Sequence, residues 1–391
     1  MVRCAATHVL ERTGSVTRIR GVDRVAAARP ASAAGSSSGA VAGPVDRPRC
    51  APVAIGSVPY EDARQAMDFI LRWTPEIPAW PQLPRRSFLE NMYVQFGEGL
   101  PGAIVDAEQQ RFYVTDEPPA DEVADFLDRL EQDDPSLFAI SSDRAAGIPA
   151  FESALRSLTE AGAPPAFVKG QVTGPVSFGL TVLREDKRSL LYDDTQRELA
   201  TALLANKARW QQDLLRTWAP ASVPVIVFDE PYMARMGSAF VNVPPELCYP
   251  LLEECLAPLD CVTGIHVCGG ADWESVVNLP FDLLSFDAAD FLDSVVTQRE
   301  AFAAFAAEGG LLAWGVVPND DRALALKAEE TARQVLAGAA ALEKTGAISV
   351  DEVLALSFVS PACGTGALPV EVAERCFRLS FETSAWLRER T

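Results

Sequence analysis

The sequence predicts an α/β protein built as a single parallel (β/α)8 TIM barrel with an elaborated first connection. Short apolar runs alternate with longer helical patterns, and eight such strand-like runs occur within about 340 residues. The competing fold is an open, doubly wound sheet. It would place a glycine-rich phosphate loop after its first strand, and Gly56-Ser57-Val58-Pro59 is not such a loop.

The predicted strands are short and almost continuously apolar, as expected of strands buried on both faces. In chain order they are Val53–Val58, Leu137–Ile140, Ala166–Val172, Val223–Phe228, Val262–Val267, Leu283–Phe286, Leu311–Val317 and Leu354–Val359. The clearest helix spans Asp194 to Trp218, where apolar residues recur on one face. Further helices are predicted near Glu61–Trp73, Ala120–Leu130, Phe151–Ala161, Ser294–Glu308, Asp321–Thr345 and Pro369–Arg388, with a hairpin over Ala103–Tyr113.

Composition restricts the class of protein. The 391 residues carry 34 Lys and Arg against 54 Asp and Glu, a net charge of −20, and 48% are hydrophobic. This balance excludes global disorder, and a polyanion such as nucleic acid would be repelled. No apolar run reaches the roughly 18–20 residues of a membrane span. The eight Cys form no disulfide-scaffold pattern, so we expect a reducing, cytoplasmic location.

The first 50 residues differ from the rest. They contain eight Arg, no Lys and three acids, which leaves the remainder of the chain at −25. Residues 31–43 are almost entirely Ala, Ser, Gly, Pro and Val, a composition that cannot bury enough apolar surface to fold. We therefore predict a disordered extension over 1–50 and a barrel over 51–391. An organelle transit peptide, or a start codon assigned too far upstream, would also account for this head.

The candidate site lies where the predicted strands end, because a TIM barrel places its chemistry at that face. His266 and Cys268 are two residues apart on one strand and so point the same way. Asp287 and Cys363 follow two other predicted strands. One imidazole, two thiols and a carboxylate make a suitable shell for Zn²⁺, although a free Cys is more often a small buried hydrophobe. That second interpretation applies to Cys248, Cys255, Cys261 and Cys376.

Two further features leave alternatives open. Asp229-Glu230-Pro231 follows an apolar strand, where the acids could cap a helix N-terminus, bind substrate, or do both. Lys169 lies near another predicted strand end and is either a solvated charge at the rim or part of the site.

Six motifs follow one another across about residues 52–388. They are Ile55-Gly56-Ser57-Val58-Pro59; Phe96-Gly97-Glu98; Lys169-Gly170 with Thr173-Gly174-Pro175-Val176; Phe228-Asp229-Glu230-Pro231; Ile265-His266-Val267-Cys268; and Ser360-Pro361-Ala362-Cys363-Gly364. With these motifs, in the same order, the chain resembles the C-terminal catalytic domain of cobalamin-independent methionine synthase. That domain belongs to the superfamily that includes uroporphyrinogen decarboxylase and the zinc methyltransferases of methanogens.

The resemblance implies a (β/α)8 barrel whose zinc activates homocysteine for methylation. His266, Cys268 and Cys363 match three zinc ligands, and Asp287 stands where the family has Glu. Asp229 matches the acid that binds the amino group of homocysteine. Ser57, with Gly56 beside it, matches a substrate-contacting residue after the first strand.

Three departures concern the two substrates. Val94 replaces a second acid that contacts the substrate amino group, and Gly179-Leu180 lacks the aromatic that supports folate. The family's catalytic-acid His is absent, and Pro318-Asn319-Asp320 stands in its place. The resemblance thus implies an S-methyltransferase. Its methyl donor is methyl-tetrahydrofolate or methylcobalamin, the latter on a corrinoid protein, and its acceptor is a small-molecule thiol, foremost homocysteine to give methionine.

Two alternatives remain at this point. A lyase like uroporphyrinogen decarboxylase uses the same barrel without metal and needs cations for its substrate carboxylates, which Arg85-Arg86 could supply. A strongly acidic barrel fits that chemistry poorly. The other alternative is a non-catalytic zinc-binding barrel.

Overall fold

The computed structural model describes residues 47–236 and 243–390. Most of the predicted disordered extension, residues 1–46, lies outside this part of the chain. The described chain begins just before the first strand, where Cys50 is buried and its backbone N–H donates to the carbonyl of Ser357 at 2.6 Å.

Ten strands form two sheets. They are β1 (Ala51–Pro52), β2 (Ala103–Asp106), β3 (Arg111–Val114), β4 (Phe167–Thr173), β5 (Leu183–Arg184), β6 (Val223–Asp229), β7 (Val262–Val267), β8 (Leu283–Asp287), β9 (Leu311–Val317) and β10 (Ser357–Pro361). Seven of them make an all-parallel sheet in the order β1-β10-β9-β8-β7-β6-β4. Every residue of these seven strands is buried, which explains their almost continuous hydrophobicity.

Thirteen α-helices lie in the described ranges. They are α1 (Ala63–Trp73), α2 (Met92–Phe96), α3 (Ala120–Glu131), α4 (Gly147–Glu160), α5 (Pro175–Thr181), α6 (Asp194–Trp218), α7 (Pro245–Leu256), α8 (Trp273–Val276), α9 (Leu292–Thr297), α10 (Arg299–Ala307), α11 (Ala328–Glu343), α12 (Val350–Ala355) and α13 (Val370–Arg388). None of them is both long and apolar enough to cross a bilayer. The longest, α6, has the predicted bounds and begins after Asp193, whose carboxylate accepts from the N–H of Gln196 at 3.0 Å.

The curled parallel sheet is consistent with a TIM-like barrel, but strand pairing does not close it. Its two edge strands, β1 and β4, are separated by residues 76–82. On one side, backbone carbonyls of this segment accept hydrogen bonds from the N–H groups of Phe167 and Lys169. On the other side, the segment exchanges two backbone hydrogen bonds with residues 56–58. Its contacts are isolated bridges rather than a continuous ladder.

The prediction of a second strand over Leu137–Ile140 is wrong. Residues Pro135–Phe138 form a 3-10 helix capped by the Asp134 carboxylate, and Phe138 is buried. A four-residue apolar run is too short to separate a strand from one turn of helix. The predicted helix Ser294–Glu308 is divided into α9 and α10, and Asp321–Thr345 contains a 3-10 turn, Asp321–Leu324, before α11.

The predicted hairpin is confirmed. Strands β2 and β3 pair antiparallel, and the short strand β5 extends them into a second, three-stranded sheet. Phe112 of this hairpin packs edge-on against Phe178 in α5, with 6.2 Å between ring centroids. The elaborated first connection is therefore fixed to the helix that follows β4.

Candidate metal centre

The carboxyl ends of three neighbouring strands, β6, β7 and β8, bring polar side chains together. In the sheet register Asp229 on β6 pairs with His266 on β7, and His266 pairs with Ser285 on β8. Asp287, two residues after Ser285, pairs with Gly315 on β9. Residues paired across parallel strands point to the same face, so these side chains converge on one end of the barrel interior.

Three predicted ligands form a compact group. One ligand atom from each of His266, Cys268 and Cys363 lies within 4.8 Å of the other two. His266 is buried, and the two cysteines are partly exposed toward the mouth of the barrel. Within residues 47–236 and 243–390 this is the group of His, Cys and acidic residues that meets a metal-binding spacing.

The His266 ring is held by the neighbouring strand. Its Nδ1 atom lies 2.9 Å from the hydroxyl oxygen of Ser285. Its Nε2 atom is buried and has no hydrogen-bond partner among the described residues. A buried ring nitrogen without a partner is costly unless it binds a metal. A hydrogen bond from Nδ1–H to Ser285 would fix the tautomer that leaves Nε2 free as a ligand.

The two cysteine thiols interact directly. A hydrogen bond from Cys363 lowers the pKa of Cys268, and the nearby His266 ring adds to that effect. The same contact raises the pKa of Cys363, because its proton is shared with the Cys268 sulfur. The two sulfurs thus share one proton. A divalent cation that binds both sulfurs would displace this proton. One imidazole with two thiols at this spacing fits Zn²⁺.

Asp287 lies at the edge of this group and is not one of the three residues with converging ligand atoms. Its Oδ1 atom accepts hydrogen bonds from the N–H groups of Ala289 and Asp290, at 2.9 and 3.0 Å. Burial raises the pKa of Asp287, and the nearby Cys268 sulfur contributes. The structure therefore places Asp287 beside the group formed by His266, Cys268 and Cys363. One of its carboxylate oxygens is taken up by hydrogen bonds within its own loop.

The residues after β1 contact the loop that carries Cys363. The Ser57 carbonyl accepts from the N–H of Thr365 at 2.9 Å, and its hydroxyl accepts from the N–H of Gly366 at 3.3 Å. Gly56 packs so closely that an added Cβ would lie 2.7 Å from Oε1 of Gln82. Gly56 therefore lies against the Gln82 side chain, and Ser57 is held to the loop that follows Cys363.

A small cavity in the barrel interior is lined by Asp229 and Lys169, and also by His266 and Ser285. Burial raises the pKa of Asp229 to about 6, while the charges of His266 and Lys169 oppose that rise. Its Oδ1 atom is buried without a partner among the described residues. Lys169 is not a rim charge: it is 3% exposed and donates to the carbonyl of Ile55 at 2.5 Å.

Glu230 resolves the question about the acidic pair. Its carboxylate is fully buried and accepts from the N–H groups of Val176 and Ser177, at 2.9 and 2.8 Å. It also accepts from the Ser177 hydroxyl at 2.6 Å, and Gly174 leaves room for it. Glu230 thus caps α5, the helix after β4, rather than a helix of its own, while Asp229 faces the interior. The capping role thus belongs to Glu230, and substrate binding by Asp229 stays a prediction.

The remaining candidates are already paired or buried. Arg85 donates to the carbonyls of Ala367 and Leu368, and Arg86 pairs with the buried Glu90 at 3.0 Å. Val94 is 1% exposed. Sequence reasoning missed Ser285, whose only signal was a hydroxyl two positions before Asp287 in an apolar strand.

Comparison with known proteins identifies the fold. No protein-family model matches the chain, and no curated protein matches it by sequence. A B12-independent methionine synthase from Shewanella sp. W3-18-1, solved in complex with selenomethionine, matches with a TM-score of 0.53 and 14% identity, over 87% of this chain and 98% of that one. A methyltransferase from Methanosarcina mazei matches with a TM-score of 0.47 and 15% identity, over 85% and 93% of the two chains. At this identity the likeness concerns architecture: the chain has a fold similar to that of the Shewanella methionine synthase along nearly the whole of that chain.

Proposed function

We propose that the protein is a zinc-dependent S-methyltransferase. It would move a methyl group from methyl-tetrahydrofolate or a methyl-corrinoid to a small thiol, foremost homocysteine to give methionine. The observation that carries this proposal is the convergence of His266, Cys268 and Cys363 beside the buried carboxylate of Asp229. The fold shared with a methionine synthase that was solved with selenomethionine supports it.

His266, Cys268 and Cys363 would hold the ion, with Asp287 as the fourth ligand or a close neighbour. A zinc ion held there would lower the pKa of the acceptor thiol, so that its sulfur would react as a thiolate at neutral pH. Ser285 keeps the His266 ring oriented. Asp229, with an unpartnered buried oxygen, would bind the ammonium of the acceptor. Ser57 would contact the acceptor from the segment that follows β1.

The decarboxylase alternative is less well supported. Its substrate carboxylates need free cations, but Arg85 and Arg86 are engaged with backbone carbonyls and with Glu90. Lys169 is the buried cation in the interior cavity, and its ammonium already donates to Ile55 and Gln171. These contacts favour thiol chemistry over recognition of a polycarboxylate.

One experiment separates the three functions. The full chain is purified, its zinc content is measured, and methyl transfer is assayed to homocysteine and to 2-mercaptoethanesulfonate, with methylcobalamin and with methyl-tetrahydrofolate. Zinc with methyl transfer supports the proposal. A protein without zinc points to a lyase, and zinc without transfer to any thiol points to a non-catalytic barrel. Both of these results contradict the proposal.

A further inference from the structure

The loop that follows β9 lies between the loops that carry Asp287 and Cys363, because β9 pairs with β8 on one side and with β10 on the other. It begins with Pro318 and Asn319, where the resemblance implies a catalytic-acid His. The carboxamide of Asn319 releases no proton at neutral pH, so it cannot serve as that acid. Its contacts indicate a different role.

Two hydrogen bonds from this part of the chain enclose Cys363. The Val317 carbonyl, at the end of β9, accepts from the N–H of Ala362 at 2.8 Å. The Nδ2 atom of Asn319 donates to the Gly364 carbonyl at 3.0 Å. The residues directly before and after Cys363 are therefore both held to the end of β9.

The orientation of the Asn319 carboxamide is determined by its contact with Gly364. A backbone carbonyl accepts hydrogen bonds and cannot donate them, so the nitrogen of the carboxamide must face Gly364. The Oδ1 atom of Asn319 is buried and has no hydrogen-bond partner among the described residues. The bond to Gly364 is thus the polar contact that orients the side chain.

Gly364 is confined on its other side by the segment after β1. An added Cβ at Gly364 would collide with the hydroxyl of Ser57. The N–H of the next residue, Thr365, donates to the Ser57 carbonyl at 2.9 Å. Gly364 therefore lies between Ser57 and the Asn319 carboxamide, and loss of either neighbour would free it on one side.

The loop that carries Asn319 is also attached to the loop of Asp287. Arg322, three residues after Asn319, donates to both carboxylate oxygens of Asp290 at 2.6 and 2.8 Å, and to the carboxylate of Asp320. The N–H of Asp290 in turn donates to the Asp287 carboxylate at 3.0 Å. A pair held at two points fixes the relative position of its groups. Asn319 therefore projects from a loop that is held at a second place.

We propose that Asn319 is a positioning residue of the candidate metal centre, which holds Gly364 and through it the Cys363 sulfur beside His266 and Cys268. This inference rests on the metal binding in the proposed function. The hydrogen bond with Cys268 raises the pKa of the Cys363 thiol, and the N–H of Gly364, which donates to the sulfur, opposes that rise. Displacement of Gly364 would therefore move a group in direct contact with the ligand atom.

Asn319→Ala removes the carboxamide and keeps the backbone of the loop. We expect about tenfold weaker zinc affinity, because loss of a group that orients a metal ligand costs roughly 10- to 100-fold. Asn206→Ala is the matched control. Asn206 in α6 is half-buried like Asn319, and its Nδ2 atom also donates to a backbone carbonyl, that of Ala202, at 2.9 Å.

The test uses the full chain as wild type and as the two variants. Competition with a chromogenic chelator gives the zinc affinity, and the spectrum of the Co²⁺-substituted protein shows the charge-transfer band of bound thiolates. The expected result is weaker zinc binding and a weaker thiolate band in Asn319→Ala, with neither change in Asn206→Ala. An unchanged affinity, or an equal loss in both variants, would overturn the inference. A selective loss with an unaltered thiolate band would overturn it too, because Asn319 would then not act through Cys363.

These measurements use neither a methyl donor nor an acceptor thiol, so the inference and the proposed function can fail separately. The expected result in a protein without methyl transfer would overturn the proposed function alone. Zinc-dependent transfer with equal zinc affinity in Asn319→Ala and wild type would overturn the inference alone. A wild type that binds no metal would overturn both.

Discussion

The Nδ1 atom of His266 and the hydroxyl oxygen of Ser285 are 2.9 Å apart across neighbouring strands. Partners of this kind orient a metal-binding imidazole and set its tautomer. We expect Ser285→Ala to keep the fold but to weaken zinc affinity about tenfold or more. Competition with a chromogenic chelator measures this. Ser380→Ala is the control, because Ser380 is a buried serine in α13 that bonds to the carbonyl of Cys376. Equal zinc affinity in both variants would contradict the orienting role.

The ligand assignment makes a direct prediction about zinc content. Cys363→Ser should abolish most bound zinc, because it removes one of the three converging ligand atoms. Cys376→Ser should leave zinc in place, since Cys376 is buried in α13 and its thiol bonds to the Pro318 carbonyl. Metal analysis of the two purified variants decides the matter. An unchanged zinc content in Cys363→Ser would rule out the assignment.

Asp229→Asn should impair recognition of the acceptor rather than metal binding. We expect the Michaelis constant for homocysteine to rise about 10- to 100-fold, because a charge-assisted hydrogen bond is lost. The constant for 2-mercaptoethanesulfonate, which has no amino group, should change little. Steady-state kinetics with both thiols, alongside zinc analysis, provides the measurement. If wild type uses the sulfonate as well as homocysteine, Asp229 is not an amino anchor.

The head of the chain should be dispensable up to residue 46 but not to residue 50. The composition of residues 1–46 offers no apolar pattern that would pack on the barrel. In contrast, the Arg388 guanidinium donates to the carbonyls of Pro48 and Arg49 at 3.0 and 2.6 Å. Removal of 1–46 should leave the melting temperature nearly unchanged, and removal of 1–50 should lower it. Thermal unfolding of both truncated proteins tests this, and a large loss on removing 1–46 would show that the head packs on the core.

Lys207 should make the free energy of unfolding depend on pH. It is fully buried in α6 and donates to the Phe138 carbonyl at 3.3 Å, and burial lowers its pKa to about 7. Between pH 7 and about 10.5 the unfolded chain binds more protons than the folded one, so the free energy of unfolding should rise with pH. The contribution is on the order of 3–5 kcal/mol at most.

Lys207→Met should flatten this rise, which urea unfolding at pH 7 and pH 9.5 would detect. The control is Lys344→Met, which replaces an exposed lysine beyond α11 and should keep the slope of the wild type. A rise that persists in Lys207→Met would show that other groups cause it.

The sequence predicted those strands that depend on local pattern, and it predicted that His266, Cys268 and Cys363 lie together. Their binding of a metal stays a prediction. Apolar runs such as Leu311–Val317 became strands because burial on both faces demands continuous hydrophobicity. Residues 76–82 could not be recognised in this way. Pro78 and Pro81 lack the N–H of a ladder and interrupt the pattern, although the segment lies between the two edge strands.

Contacts between residues far apart in the chain could not be predicted from the sequence either. Glu230 caps α5 from more than 50 residues away, and nothing near it in the chain shows which helix it serves. The same holds for the position of Asp287. The sequence predicted that Asp287 follows a strand. It did not predict that Oδ1 of Asp287 accepts hydrogen bonds from the N–H groups of Ala289 and Asp290.

The proline-containing segment between β1 and β4 completes the circumference of the barrel without being a strand. Continuous ladders join β6 to β7 and β8 to β9, and the ladder from β9 to β10 shifts register once, between Ser360 and Pro361, just before Cys363. Residues 76–82 instead reach both edge strands through separate bridges, and Ile77 and Trp80 are buried. Closure of the wall beside Lys169 and Ser57 therefore depends on packed side chains rather than on a backbone ladder, so we expect it to be more sensitive to loss of the Trp80 side chain than the wall that carries His266.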